Sequence, residues 1–216
     1  MQGDAACSAG DSAGVVLNRL LGEAELASLD AGQASQFESY LSLFVRWNSR
    51  TNLSAVREPE AILSRHFVES IACARALPAG ISTLLDFGSG GGLPGIPIAL
   101  CRPEIAVTLA ESQGKKAAFL QEAVRTLGIS VRVFSGRAET LTEKFSCVTL
   151  RAVDKMDQAV MAGARLVGGG GWLALLTTHA DAPILQKAAG EAYEWLGPRS
   201  LPGSEDRILV LGERSS

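Results

Sequence analysis

Apolar residues in the first third of the chain recur at helical steps, and from Thr83 onward they gather into short unbroken runs. In 33–48, Phe37, Leu41, Phe44 and Trp47 fall three and four residues apart, which predicts an amphipathic helix. A second helix is predicted from Pro59, a residue suited to the first helical position, to about Ala76, with Leu63, Phe67, Ile71 and Ala74 on one face. The polar stretch 50–57 between them reads as a loop. Beyond it, apolar runs at 83–87, 106–111, 131–134, 147–150 and 172–176 predict strands. They alternate with helical patterns at 95–101, 115–127, 158–167 (ended by four glycines at 168–171) and 183–196, and a final strand is predicted at 207–212. Alternating strands and helices with mostly apolar strands imply an α/β fold on a largely parallel sheet.

The first strand runs into Asp86-Phe-Gly-Ser-Gly-Gly-Gly-Leu-Pro-Gly95, with five glycines between 88 and 95. In a doubly wound sheet this turn lies at the carboxyl ends of the strands, where ligands bind. Glycine lets backbone approach a ligand and adopt positive φ. The dinucleotide fingerprint requires a third glycine where this chain has Leu93, followed by Pro94, so a pyrophosphate fits poorly and a nucleoside with a small amino-acid tail fits better. The second strand ends in Glu111, whose carboxylate can accept both ribose hydroxyls. After the third strand comes Ser135-Gly-Arg-Ala-Glu139, where Glu139 can accept the adenine amine and the backbone N–H near Ala138 can donate to the ring. Each feature alone has a bland explanation, but three at successive strand ends point to a nucleoside cofactor.

Charge and composition narrow the setting. The net charge is −3 and 47% of residues are hydrophobic, enough for a sizeable core. Charge is uneven: residues 1–40 carry one Arg against six acids, 41–75 five Arg against three acids, and 112–156 eight Lys or Arg against four acids. A general nucleic-acid coat is excluded, whereas a local basic face for one RNA site is not. No apolar run approaches the ~20 residues of a membrane span, and Met1–Gly14 reads as a loose tail without signal-peptide features. Four scattered cysteines (7, 73, 101 and 147) and two histidines give no metal-ligand spacing, and buried reduced thiols suit a cytoplasmic protein.

The segments Trp47-Asn48, Asn52-Leu-Ser-Ala-Val-Arg57, Arg65-His-Phe-Val-Glu-Ser70, Asp86–Pro97, Gly136-Arg-Ala-Glu139, Arg151-Ala-Val153 and Glu205-Asp-Arg-Ile-Leu-Val210 together resemble the bacterial 16S rRNA guanine-N7 methyltransferases (the RsmG or GidB family) over roughly 37–212. The resemblance implies a class I, Rossmann-like methyltransferase dependent on S-adenosyl-L-methionine: a seven-stranded, mostly parallel sheet with an N-terminal helical extension. It divides the chain into an acidic, partly disordered segment (1–32), a helical extension (33–80) and the methyltransferase core (81–216). It implies cofactor contacts from Gly88, Leu93, Ala138, Glu139 and Arg151, to which the turn itself and the second strand end add Gly90 and Glu111. The implied partner is 16S rRNA or the small ribosomal subunit, the implied product 7-methylguanine, and a monomer without metal or membrane is expected. There are departures: Thr177-Thr178-His179 stands where the family usually has Lys-Gly, Glu69 stands where aspartate is commoner, and the first 36 residues match no pattern.

Guanine N7 carries an in-plane lone pair and has no proton to lose, so no general base is expected, and orientation can supply the catalysis. The fourth strand ends in Leu150-Arg151-Ala152, with neither the Asn-Pro-Pro-Tyr type of loop nor a Pro-Cys nucleophile. Arg151 is expected to hold the methionine carboxylate or the incoming nucleotide. Arg57, His66, Lys115 and Arg137 are candidate RNA contacts, with Arg50, Arg65 and Lys116 beside them, although ordinary solvated charges account for them equally well and His66 suits a half-buried, satisfied histidine. Another class I methyltransferase acting on protein or a small molecule, a nicotinamide oxidoreductase and a non-catalytic nucleoside- or RNA-binding module are the competing readings. A mechanism without a general base leaves no catalytic signature by which to exclude the last.

Overall fold

The computed structural model describes residues 11–215. Its sheet runs β3 (Arg132–Phe134), β2 (Ala106–Ala110), β1 (Thr83–Phe87), β4 (Phe145–Arg151), β5 (Val167–Thr178), β8 (Arg207–Arg214), β6 (Tyr193–Trp195), with the two-residue β7 (Arg199–Ser200) paired to β8. The main path therefore holds the expected seven strands, and β7 is an added short one. Strands β1 to β5 pair in parallel and β8 pairs antiparallel to both β5 and β6. The chain moves outward from β1 through β2 to β3, then crosses to the other side of β1 to form β4. That reversal opens a crevice at the carboxyl ends of β1 and β4, the place where open α/β sheets bind ligands.

One face of the sheet is covered by α5 (Gly95–Cys101) and α6 (Gly114–Leu127) together with the N-terminal helices, the other by α7 (Met156–Leu166) and α8 (Ala182–Ala189). Helix α2 (Ala31–Thr51) starts at a capping box in which Asp30 accepts from the Gln33 N–H and Gln33 reaches back. It buries Phe37, Leu41 and Phe44 as their spacing predicts. Helix α1 (Ala13–Glu23) has no counterpart in the sequence reading, yet Leu17 and Leu21 are fully buried against this layer. The helical layer thus begins at Ala13 and not at 33. Of the tail expected over Met1–Gly14, residues 1–10 lie outside the described residues.

The helix expected over 59–76 is continuous but not uniform. Helix α3 (Pro59–Ile62) passes through a π-helical turn (Leu63–Val68) into α4 (Glu69–Ala76), and that turn carries His66. Two boundaries differ from expectation. The glycines at 168–171 do not simply end a helix: they lie inside β5, where two steps along β4 (145 to 147) face five along β5 (167 to 172). The helix expected over 183–196 stops at Ala189, because Gly190 takes φ +91° and Tyr193 and Trp195 then pair with β8.

Candidate active site

The glycine turn is held from below. Asp86 is buried; its Oδ1 accepts from the Thr149 hydroxyl of β4 at 2.9 Å and its Oδ2 from the Gly95 N–H at 3.2 Å. Burial pushes its carboxyl up to about 6, against the pull of those hydrogen bonds and of the Arg151 charge. The turn takes positive φ at Gly88, Gly90 and Gly92, which glycine tolerates without strain. A Cβ on Gly95 would lie 2.3 Å from Leu109 and 2.7 Å from the Asp86 carboxylate, so only glycine fits that approach. From the helical layer, the Tyr40 hydroxyl donates to the Gly91 carbonyl, and Tyr40 stacks on Phe67 with centroids 4.7 Å apart. The aromatic face of α2 therefore supports the turn as well as filling the core.

Above the turn lies a cleft of about 830 Å³, lined by every residue expected to touch the cofactor: Gly88, Gly90, Leu93, Glu111, Ala138, Glu139 and Arg151. Glu111 is buried. One of its oxygens accepts from the Gly90 N–H at 2.9 Å and the other from the Gln113 N–H at 2.7 Å, which ties β2 to the turn and leaves each oxygen a further lone pair. Ala138 opens a 3-10 turn (Ala138–Thr140), so its N–H has no intrahelical acceptor. Gly136 and Arg137 complete that wall.

The opposite wall is ionic. Glu69 bridges two arginines: one oxygen accepts from Arg151 Nη2 at 2.9 Å, the other from Arg207 Nη2 at 2.7 Å and Nε at 3.2 Å. The Glu69 side chain is 5% exposed and that of Arg151 10%. The Nε of Arg151 is buried with no partner among the described residues. Arg151 Nη2 also lies 2.9 Å from His66 Nδ1, and His66 Nε2 lies 2.6 Å from the Ser54 hydroxyl. Burial, then the neighbouring Arg151 charge, lowers the His66 imidazole to about 4, so it is neutral near pH 7.

Among the RNA candidates, His66 and Arg137 line the cleft, whereas Arg57 and Lys115 do not. Arg57 braces its own loop, donating to the Asn48 carbonyl and, at 2.6 Å, to Asn52 Oδ1. The lysines at the cleft are Lys116, the neighbour of Lys115, and Lys155. Ser54, Glu69 and Arg207 had no individual role in the sequence reading, although an acid beside the apolar stripe of a buried helix was a legible signal at Glu69. Cys73 and Cys147 are buried with their thiols pushed up by burial, and Cys101 is pushed to about 11. Among the described residues, no group of three or more His, Cys, Asp or Glu is placed to hold a metal ion, and no helix is long and apolar enough to cross a membrane.

Residues 33–206 match the family described as rRNA small subunit methyltransferase G. Proteins carrying that name from Xanthomonas euvesicatoria and Stenotrophomonas maltophilia are each 41% identical, over 189 and 187 residues. These alignments cover 85% and 84% of this chain and 88% and 87% of theirs. Among solved structures, a methyltransferase from Pyrococcus furiosus superposes with a TM-score of 0.61 at 10% identity, covering 85% of this chain and all of that one. A predicted O-methyltransferase from Agrobacterium tumefaciens gives 0.55 at 20% identity, over 69% and 80%. At such identities the structural likeness speaks for the fold alone.

Proposed function

This chain belongs to the rRNA small subunit methyltransferase G family, and from that premise we propose that it transfers a methyl group from S-adenosylmethionine to N7 of one guanine in the 16S rRNA of the small ribosomal subunit. The observation that carries the reading is the single cleft that joins the three nucleoside-facing strand ends to a buried arginine whose Nε has no partner among the described residues.

The donor set suits S-adenosylmethionine. Gly88, Gly90 and Leu93 present the turn to the amino-acid portion, Glu111 suits the ribose diol, and the Ala138 N–H with Glu139 suits adenine. When bound, the cofactor supplies an electrophilic sulfonium methyl. The guanidinium of Arg151, aligned by Glu69 at the wall of the cleft, suits a carboxylate or nucleotide oxygen. His66 is engaged on both ring nitrogens and Asp86 is occupied beneath the turn, so neither is free to act as a base. A nucleophile that need not lose a proton fits such a site, and its residues act by holding two reactants in line, an effect worth up to about 7–11 kcal/mol.

Arg137 and Lys116 flank the cleft as phosphate contacts. The separation of 33–80 from 81–216 is functional in this reading, since the helical layer supplies Ser54 and His66 to a cleft built by the core, and Glu69 to the arginines of its wall. Cytoplasmic location and a monomeric state belong to the same proposal. The test is methylation of small subunits that have never met the enzyme, followed by nucleoside analysis. 7-Methylguanosine in 16S rRNA supports the reading, and label in protein or small molecules overturns it.

A further inference from the structure

We propose that the Ser54 hydroxyl is a specificity-determining contact that donates its hydrogen bond to O6 of the target guanine. The proposal deepens the guanine-N7 reading and rests on it.

The direction of the hydrogen bond follows from the hydrogens around it. Arg151 Nη2 has two hydrogens and three acceptors in reach, Glu69 Oε2 and His66 Nδ1 at 2.9 Å and the Arg65 carbonyl at 3.2 Å; the two shorter contacts take the hydrogens, so Nδ1 presents its lone pair to a permanently cationic donor. A neutral imidazole then carries its single proton on Nε2, which lies 2.6 Å from Ser54 Oγ and donates to it. The Val56 N–H donates to the same oxygen at 3.0 Å. Both lone pairs of the hydroxyl are thereby used, and its own proton remains. No acceptor among the described residues takes that proton, and Ser54 lines the cleft.

The loop fixes where that donor stands. Buried Asn48 accepts from the Ser54 N–H at 2.9 Å and donates to the Val56 carbonyl at 2.8 Å, clamping the backbone on both sides of the serine. The chain His66–Arg151 anchors the hydroxyl to the end of β4, across β1 from the strand ends that carry Glu111 and Glu139. Ser54 is thus on the substrate side of the cleft, away from the nucleoside partners of the cofactor. In guanine, O6 and N7 lie on the same edge, both as acceptors, whereas adenine places an amine donor at position 6. A fixed donor at O6 turns N7 toward the methyl group and meets adenine donor to donor. A buried hydrogen bond of this kind discriminates strongly, because the wrong base leaves the donor unpaired.

The test compares wild type, Ser54→Ala and Ser54→Thr on rRNA carrying either guanine or 2-aminopurine at the methylated position; 2-aminopurine keeps N7 and lacks O6. On guanine, Ser54→Ala is expected to lower kcat/KM about tenfold, the effect of one lost hydrogen bond. Adenosylhomocysteine affinity should not change, and Ser54→Thr should restore most of the rate. On 2-aminopurine, wild type and Ser54→Ala should be equal. Binding of the substituted rRNA, followed by the base's own fluorescence, gives the same comparison where turnover is slow. Wild-type activity of Ser54→Ala on guanine overturns the proposal. So does an equal loss on both bases, which assigns the hydroxyl to another part of the nucleotide. Label outside guanine N7 with the wild-type enzyme instead overturns the reading on which the proposal rests.

Discussion

Replacing Glu69 with Gln isolates the ionic wall of the cleft, because it keeps the side chain's shape and removes its charge. The carboxylate accepts three N–H groups from two guanidiniums and is 5% exposed. Glutamine can satisfy one arginine through its carbonyl oxygen, but its amide then meets the other donor to donor. Hydrogen bonds to charged groups contribute about 1.5–3 kcal/mol each, and breaking a buried pair from one side costs about 3–5 kcal/mol. Arg207, 27% exposed, can recover water, so most of the loss belongs to Arg151. The expected destabilisation is about 3–4 kcal/mol, which lowers Tm by roughly 10 °C for a chain of this size. Urea unfolding should show a lower midpoint at unchanged slope. Methylation should fall more than tenfold in kcat/KM even at temperatures where the variant is folded, because Arg151 loses its alignment. A change below about 1 kcal/mol with full activity would refute the assignment of Glu69 as the hub of this wall.

Three further outcomes follow from the same geometry. His66 has its folded value lowered to about 4 from an ordinary 6.5, so the unfolded chain binds the extra proton between those values, and the contribution of His66 to stability rises with pH across that window. Relative to His66→Gln, wild type should gain about 3 kcal/mol between pH 4 and 6.5, measured by urea unfolding at several pH values; a constant difference contradicts the buried neutral imidazole. Asp86 works in the opposite sense, its carboxyl being raised to about 6, so it takes stability away as pH rises from about 4 to 6, and the two groups largely offset each other in wild type. Gly95→Ala should destabilise by about 1–3 kcal/mol through overpacking against Leu109 and Asp86 and should weaken adenosylhomocysteine binding in a calorimetric titration; neutral behaviour in both would show that the turn is free to shift. Arg151→Ala should abolish methyl transfer and also lose stability, since it leaves Glu69 without one of its two cations; an Arg151→Lys variant should recover part of the stability but little activity, because lysine lacks the guanidinium fork.

The parts of this arrangement legible in the sequence are those set by local pattern. Thr83–Phe87 is a short, mainly apolar run that leads into the glycine turn, and it forms β1 with those bounds. Glu111 and Ala138-Glu139 were found because strand ends are predictable places, and all three line the cleft. What depended on distant partners was not legible. Tyr193 and Trp195 are two residues apart, a strand spacing, but nothing local shows that β8 will offer them an edge. The glycines of 168–171 read as a helix stop because nothing local shows that β4 will accommodate extra residues there. Ser54 looked like an ordinary loop residue, since its role depends on His66, twelve positions along, and on Arg151, 97 positions along.

The most direct test of the central assignment uses small ribosomal subunits from cells lacking the enzyme, purified protein and S-adenosylmethionine labelled in its methyl group. Nucleosides from the extracted 16S rRNA are then separated and identified. The account predicts one equivalent of label per subunit, all of it as 7-methylguanosine, and none with Arg151→Ala. Label on any other atom or nucleoside, or on ribosomal protein, contradicts it.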